Sequence, residues 1–424
     1  MSTIGIIAEF NPFHNGHFYL INECKKQTGA DKCIVIMSGD FVQRGVPSIT
    51  DKFSRARMAL SCGADLCIEL PVYYSTGSAE FFAKGAVSIL DKLGTVDYLC
   101  FGSECGDIDA MSSIASILND EPDVYKKALL SELKKGSSFA RSREKAIVDA
   151  IKSGSLGSDP SSKEKALTAS KVKDIISEPN NILAVEYIKA LMDIGSDIRP
   201  FTIKRIGDGY NCDVLSNVPS ATAIRNVLNN NDCPKEDLIK TLNNSVPSAV
   251  LNILSSEEAC FVHNNDVSEL LHYKLLQNAV NGYEEYLDVT SDISNKILRN
   301  LDKYNDFDDF CMKLKSKDIT YSRISRVLTH ILLDIKSSNM VEYANDSFTG
   351  YVRILGQKSS AKDLLARIQK NGKLPVLNRL KDAPDKLNTL QMRLFEETLN
   401  SSKVYNIVNK HGYQNEYRLK PVIM

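Results

Sequence analysis

Apolar residues fall into short unbroken blocks separated by stretches at helical spacing. Ile4, Ile6 and Ile7 open the first block. Asn11-Pro12 ends it, because a proline removes a backbone donor and disfavours helix at the residue before it. Phe18, Tyr19, Leu20 and Ile21 then resume at the density of a helix. Lys32-Cys33-Ile34-Val35-Ile36-Met37 reads as a second strand, Ala64 to Leu70 as a third, Tyr98-Leu99-Cys100-Phe101 as a fourth and the more polar Arg199 to Ile206 as a fifth. Helices are predicted between them from Asp51 through Leu60, over Ala79 to Leu93 and over Ile182 to Met192, the last with an Asn suited to its N-cap. Strands and helices alternating at this spacing predict an α/β fold, a Rossmann-like doubly wound parallel sheet.

Elsewhere the pattern differs. Phe41 to Val46 reads as a loop. Residues 107 to 175 are helical and polar, with a break at Gly136 to Ala140, and Ser153 to Ser162 reads as a loop or an insertion. Beyond about residue 240 the apolar positions follow helical spacing over Val267 to Val280, Ile293 to Tyr304 and Ile324 to Ile335. This predicts two domains, an α/β one over 1–240 and a mainly helical one over 241–424. The tail from Lys403 to Met424 reads as a short strand or an extended strap.

Composition narrows the function. The chain has 424 residues, enough for two or three domains. A net charge of −1 means that any nucleic-acid surface is a local patch rather than a global field. Ten cysteines lack any C-x-x-C pair, and several lie in apolar blocks, which suits a reducing compartment and a cytoplasmic protein. No leader segment is expected, because the first apolar block is short and Glu9 breaks it. No stretch approaches the length of a membrane span.

The candidate chemistry lies where the first strand meets the first helix. His14-Asn15-Gly16-His17 sits at that turn, at the carboxyl end of a parallel strand, where open α/β sheets bind ligands. Gly16 lets a ligand approach the backbone, and the helix N-terminus offers N–H groups to a phosphate. Two imidazoles three residues apart share one face and can both donate to a phosphoryl group as its charge grows. The competing reading is a chance pairing of two of six histidines. A second helix start, Pro219-Ser220-Ala221-Thr222-Ala223-Ile224-Arg225, brings two hydroxyls and a guanidinium to another strand-to-helix turn. It is either an ordinary cap or a second phosphate cradle. Thr320-Tyr321-Ser322-Arg323-Ile324-Ser325-Arg326 gathers an aromatic and two arginines at one helix start, with Lys313, Lys315 and Lys317 just before it. That pattern suits an RNA backbone with Tyr321 stacked on a base, or a solvated amphipathic helix.

Asn-Pro-Phe-His-x-Gly-His after an N-terminal strand resembles the H-x-G-H nucleotidyltransferase superfamily. Met37-Ser38-Gly39-Asp40-Phe41-Val42-Gln43-Arg44-Gly45, Gly63 to Pro71, Phe101-Gly102-Ser103-Glu104 and Pro179-Asn180-Asn181-Ile182-Leu183 resemble, more closely, the bacterial tRNA(Met) cytidine acetate ligase family. That family usually has Asn where Asp40 stands. The resemblance implies an enzyme that activates acetate with ATP to acetyl-adenylate and acetylates N4 of the wobble cytidine of elongator tRNA(Met). It implies His14, His17 and Lys52 as catalytic residues. It implies ATP contacts from Ile7, Ala8, Glu9, Phe10, Asn11, Pro12, Phe13, His14, Asn15, Gly16, His17 and Leu20. Further ATP contacts are implied for Gly102, Asn180, Arg205, Ser220, Thr222 and Arg225, with Asp40, Gln43 and Arg44 in an acetate and activation loop. Tyr321, Arg323 and Arg326 would touch tRNA. Mg²⁺ is expected with the triphosphate, without a protein metal cage. The rival functions are a cofactor adenylyltransferase of the same superfamily and a tRNA-binding protein whose nucleotide site has degenerated.

Overall fold

The computed structural model describes residues 2–137, 139–153, 167–206, 220–229, 234–410 and 415–424. Among the described residues ten strands run in chain order as β1 (Thr3–Ala8), β2 (Lys32–Ser38), β3 (Phe41–Val42), β4 (Val46–Pro47), β5 (Leu66–Leu70), β6 (Tyr98–Ser103), β7 (Arg199–Lys204), β8 (Val352–Gln357), β9 (Val376–Leu377) and β10 (Val422–Ile423). The chain packs into two compact units, Met1–Val96 with Ile206–Met424, and Asp97–Arg205. These limits differ from the boundary expected at residue 240 between an α/β and a mainly helical domain.

In the first unit the strand order is β10-β8-β5-β2-β1, with β9 beside β8. β1, β2 and β5 are mutually parallel, from Thr3↔Lys32 to Ala8↔Met37 and from Ile34↔Leu66 to Ser38↔Leu70. Their carboxyl ends therefore share one edge. Ile4, Ile6, Cys33, Ile34, Val35, Ile36, Cys67 and Ile68 are all buried, as parallel strands covered on both faces require. Helices Asn15–Thr28, Lys52–Ser61 and Ala79–Lys92 follow β1, β4 and β5. Helices Ser268–Asn278, Ser291–Asn300 and Tyr321–Leu332 occupy the three segments read as helical beyond residue 240.

Three features depart from the sequence reading. β8, from the region read as helical, joins the sheet antiparallel to β5. The tail splits: Lys403 to Val408 ends the helix Thr389–Val408, while Val422–Ile423 is a strand parallel to β8. The supposed loop at Phe41 to Val46 is a hairpin, β3 paired antiparallel with β4. Gln43, Arg44 and Gly45 form its three-residue turn, closed by Gly45 N–H donating to the Val42 carbonyl at 2.8 Å. Gly45 has φ +72°, the left-handed position such a turn needs.

The second unit has β6 parallel to β7 and helices Ile108–Asp120, Asp123–Lys134, Phe139–Lys152, Ala169–Ser177 and Pro179–Asp193. The expected loop from Ser153 to Ser162 lies, beyond Ser153, outside the described residues. The helix over 179–193 begins with Pro179 after Glu178, so the N-cap expected of an Asn belongs to Glu178, which makes no side-chain cap bond.

Candidate active site

His14 is the N-cap of the helix that follows β1, in extended conformation at φ −142° and ψ 175°. Its Nδ1 accepts from Gly16 N–H at 3.1 Å, and its own N–H donates to Nδ1 of His17 at 3.2 Å. This is a capping box built from two histidines in place of the usual Ser and Glu. A ring nitrogen that accepts a hydrogen bond carries no proton, so each neutral imidazole keeps its proton on Nε2. The two rings stack with centroids 3.7 Å apart, and Phe10 and Phe13 pack against His17 at 4.9 and 5.5 Å. His14 is 3% exposed, His17 half-buried. Between β1 and this cap run Glu9, Phe10 with φ +48°, and a cis Asn11-Pro12 bond. Ile7 and Ala8 end β1, and Leu20 lies half-buried along the helix. Asn15 donates through Nδ2 to the Asn244 carbonyl at 2.9 Å, so the helix start is tied to later chain.

The second candidate cradle lies beside the first. Ser220 caps the helix Ala221–Leu228, its Oγ accepting from Ala223 N–H at 3.0 Å. Arg225 donates through one guanidinium nitrogen to the Asn11 carbonyl at 2.7 Å and through another to Thr222 Oγ1 at 3.1 Å. Arg44 donates to the same Thr222 Oγ1 at 3.3 Å. Two helix N-termini, two guanidinium groups and a hydroxyl are thereby joined through Asn11. The Gln43 N–H donates to Glu9 Oε1 at 2.9 Å, which draws the hairpin turn to the end of β1.

Lys52 is placed differently from the sequence expectation. It is 1% exposed, and its ammonium reaches Glu69 Oε1 at 2.8 Å, Ser402 Oγ at 2.7 Å, Glu416 Oε1 at 3.1 Å and Asp40 Oδ2 at 3.5 Å. Arg353 pairs with Glu69 at 2.6 Å and also with Glu416. Asp40 Oδ1 in turn accepts the Lys52 backbone N–H at 3.0 Å. Burial lowers the proton affinity of Lys52, as does Arg353, but the three carboxylates more than offset both and raise it. Burial raises the pKa of Glu416, yet Arg353 and Lys52 hold it down at about 2. Asp40 goes the other way, with burial outweighing its cationic neighbours and raising its pKa. Arg55, also fully buried, donates to the carbonyls of Thr50, Glu9, Ser38 and Gly39, clamping the ends of β1 and β2 together.

Sequence reasoning named Asp40 and Lys52, gave Glu69 and Arg55 no settled role, and missed Arg353 and Glu416. One signal was available: a glutamate inside the apolar block Leu66–Leu70 needs a cationic partner. In the second unit Glu104, quoted in a motif but given no role, organises the remaining candidates. It accepts from Asn180 Nδ2 and from the Asn181 N–H at 2.9 Å, and Arg205 Nε lies 3.9 Å away. A Cβ at Gly102 would lie 3.3 Å from Arg205 Cγ, so that side chain lies over the glycine. Among the described residues no group of three or more His, Cys, Asp or Glu is placed to hold a metal ion.

The RNA candidates separate. Arg323 is half-buried at the helix start that Thr320 caps, with Lys315 and Lys317 exposed just before it. Tyr321 donates its hydroxyl to Asp308, and Arg326 turns to Asp288 at 3.7 Å. No helix of the described residues is long and apolar enough to cross a membrane.

The HIGH Nucleotidyl Transferase family matches the chain over residues 1–419. The chain is 38% identical over 429 residues to the tRNA(Met) cytidine acetate ligase of Clostridium tetani, covering 100% of each. It is 40% identical over 410 residues to the protein of the same name from Clostridium acetobutylicum, covering 97% of this chain and 96% of that one. Among solved structures, Thermotoga maritima TmcAL bound with alpha-thio ATP matches with a TM-score of 0.89 at 29% identity, over 100% of this chain and 99% of that one. The apo form of the same protein matches with a TM-score of 0.91 at 29% identity, over 100% of each.

Proposed function

This chain belongs to the HIGH nucleotidyl transferase family and, within it, to the tRNA(Met) cytidine acetate ligases, and on that premise we propose how its own residues carry the reaction. The enzyme binds ATP and ligates acetate to a cytidine of tRNA(Met). An acetate oxygen attacks the α-phosphorus, the bond to pyrophosphate breaks, and acetyl-adenylate forms. The cytidine N4 amine then attacks the acetyl carbonyl, loses a proton, and AMP departs with the carbonyl–oxygen bond's electrons. The product is N4-acetylcytidine at the wobble position of elongator tRNA(Met), made in the cytoplasm.

The observation that carries this reading is the histidine capping box. Because both Nδ1 atoms accept backbone N–H groups, both rings present Nε2–H as donor. Two donors fixed before substrate arrives are suited to the charge that grows on the transferring phosphoryl group. Ser220, Thr222 and Arg225, with Arg44, hold the β- and γ-phosphates at the second helix start, where the helix dipole adds its positive end. Asp40 and Gln43 shape the acetate side. Lys52 acts from within the buried ion cluster, beside Asp40. Gly102, Asn180 and Arg205 of the second unit take ATP contacts in this reading. Positioning and electrostatics suffice for such chemistry. Mg²⁺ would accompany ATP and supply charge neutralisation, with no cage of protein carboxylates assigned to hold it. The functional division follows: ATP contacts come from residues before 240, while Arg323, with Tyr321 and Arg326 behind it, meets tRNA from the later part.

The test is to incubate the protein with tRNA(Met), ATP and isotopically labelled acetate, digest the RNA and weigh its nucleosides. Labelled N4-acetylcytidine is expected. Its absence, with pyrophosphate exchange dependent on a mononucleotide instead of acetate, would identify a cofactor adenylyltransferase.

A further inference from the structure

The tip of the β3–β4 hairpin is seated on the helix Tyr321–Leu332. A Cβ at Gly45 would lie 2.4 Å from both Cα and N of Arg326, so backbone meets backbone there. The Gly45 carbonyl accepts two hydroxyl hydrogen bonds, from Ser325 Oγ at 2.7 Å and from Thr329 Oγ1 at 2.6 Å. Ser325 and Thr329 are four residues apart, on one face of the helix, and both are buried. A helical threonine ordinarily returns its hydroxyl to the carbonyl four residues back. Thr329 gives it to Gly45 instead. Both acceptor positions of this carbonyl are used, while the Gly45 N–H is held by Val42 at 2.8 Å.

Gly45 follows Arg44, whose guanidinium donates to Thr222 Oγ1 beside Arg225. We infer that Ser325 and Thr329 are positioning residues for the ATP site, acting through the Gly45 carbonyl to hold Arg44 on the Thr222–Arg225 cradle. The inference rests on the reading of Thr222 and Arg225 as phosphate contacts. It extends that reading, because it makes a helix from the C-terminal part of the chain a working component of the ATP site. The same helix carries Tyr321 and Arg323, four and two residues before Ser325. Four anchors then surround the turn: Glu9 on Gln43, Thr222 under Arg44, and two hydroxyls on Gly45.

The chemistry explains why hydroxyls stand here. A long arginine aimed at a phosphate loses affinity when its backbone wanders, since it must then be ordered on binding. Two buried bonds to one carbonyl remove that freedom beforehand. Loss of one such bond is expected to weaken ATP binding about tenfold, and loss of both by more.

The experiment uses the full-length chain and reads ATP affinity by calorimetry in wild type, Thr329→Val, Thr329→Ser, Ser325→Ala/Thr329→Val, Arg44→Ala and Arg44→Ala/Thr329→Val. Thr329→Val keeps the shape and removes the hydroxyl, and Thr329→Ser restores the hydroxyl. The expected result is about tenfold weaker ATP binding in Thr329→Val and recovery in Thr329→Ser. In the Arg44→Ala background Thr329→Val should add almost nothing, since its effect passes through Arg44. Unchanged affinity in Thr329→Val overturns the inference. So does the same fold-loss with and without Arg44, which marks the hydroxyl as structural only. Should Thr329→Val fail to fold, Thr329→Ala at lowered temperature is compared in both backgrounds, and equal losses again overturn the inference. If the wild-type protein itself fails to bind ATP, the underlying reading of the site fails instead.

Discussion

The Lys52 ammonium lies 2.8 Å from the Glu69 carboxylate, and each side chain is 1% exposed. Removing the ammonium leaves Asp40, Glu69 and Glu416 with one cation fewer, and losing one partner of a buried pair costs on the order of 3–5 kcal/mol. Lys52→Met is therefore expected to be strongly destabilised in urea unfolding, and its ATP affinity to fall only as the folded fraction falls. A variant with wild-type stability but no ATP binding would return Lys52 to the role of a direct phosphate contact.

Stability should depend on pH through Glu416. Its carboxyl is held at about 2 in the folded protein against an ordinary 4.5. A depressed acid contributes stability that is present above its unfolded value and is lost as pH falls from about 4.5 toward 2. Glu416→Gln should flatten this part of the melting profile. Equal acid sensitivity in wild type and variant would rule the residue out as its source.

Asp40 should behave in the opposite sense. Burial raises its pKa, so the charged form weakens the folded state at neutral pH and ceases to do so once protonated in both states. Asp40→Asn is expected to be more stable than wild type at pH 7, with the gap closing in acid. Melting curves at pH 7 and in acid decide this. A gap that widens in acid would contradict the burial argument.

The double role of His14 can be split. Asparagine is a good N-cap but lacks an Nε2–H donor. His14→Asn should keep its melting temperature within a few degrees while acetate-dependent ATP–pyrophosphate exchange drops about a hundredfold or more. Exchange near the wild-type rate would remove the imidazole from the chemistry.

Gly45 combines positive φ with backbone contact, whereas Gly195 has φ +62° and open space around a would-be Cβ. Gly195→Ala bears only the left-handed penalty, about 1–2 kcal/mol. Gly45→Ala must also displace the helix Tyr321–Leu332 and should cost several times as much, or fail to fold. Comparable unfolding midpoints for the two variants would mean that the hairpin tip is loosely seated.

The two arginines of the tRNA candidate should part company. Arg326 is paired with Asp288, so Arg326→Ala should lower the melting temperature. Arg323→Ala should leave melting alone and reduce the slope of log tRNA affinity against log salt by about 0.7–0.9. A salt slope that changes only in the Arg326 variant would reverse these roles.

The sequence announced what repeats and what is local. β1, β2, β5 and β6 were legible because each is a mainly apolar block, and β7 because Phe201 and Ile203 alternate with polar residues. So were His14, His17, Ser220 and Arg225, which stand at helix starts where phosphate chemistry is expected. β3 and β4 were not, being two residues each and held by a turn rather than by periodicity. β8 was hidden because Arg353 interrupts its apolar run, and the acids that make that arginine tolerable lie at positions 69 and 416. The sequence showed that Lys52 opens a helix but not which way its side chain turns. Contacts to backbone, such as Arg225 on Asn11 or Thr329 on Gly45, leave no mark in side-chain composition.

The ion cluster has a consequence for biosynthesis. Lys52 and Glu69 leave the ribosome early, but Arg353 and Glu416 follow only after an interval on the order of tens of seconds at typical elongation rates. Through that interval β5 has no β8 beside it, and the edge of the sheet stays open. The open edge of β5 is covered only once β8 has been made. A polypeptide cut short before Glu416 would leave Lys52 and Arg353 with one carboxylate fewer around them.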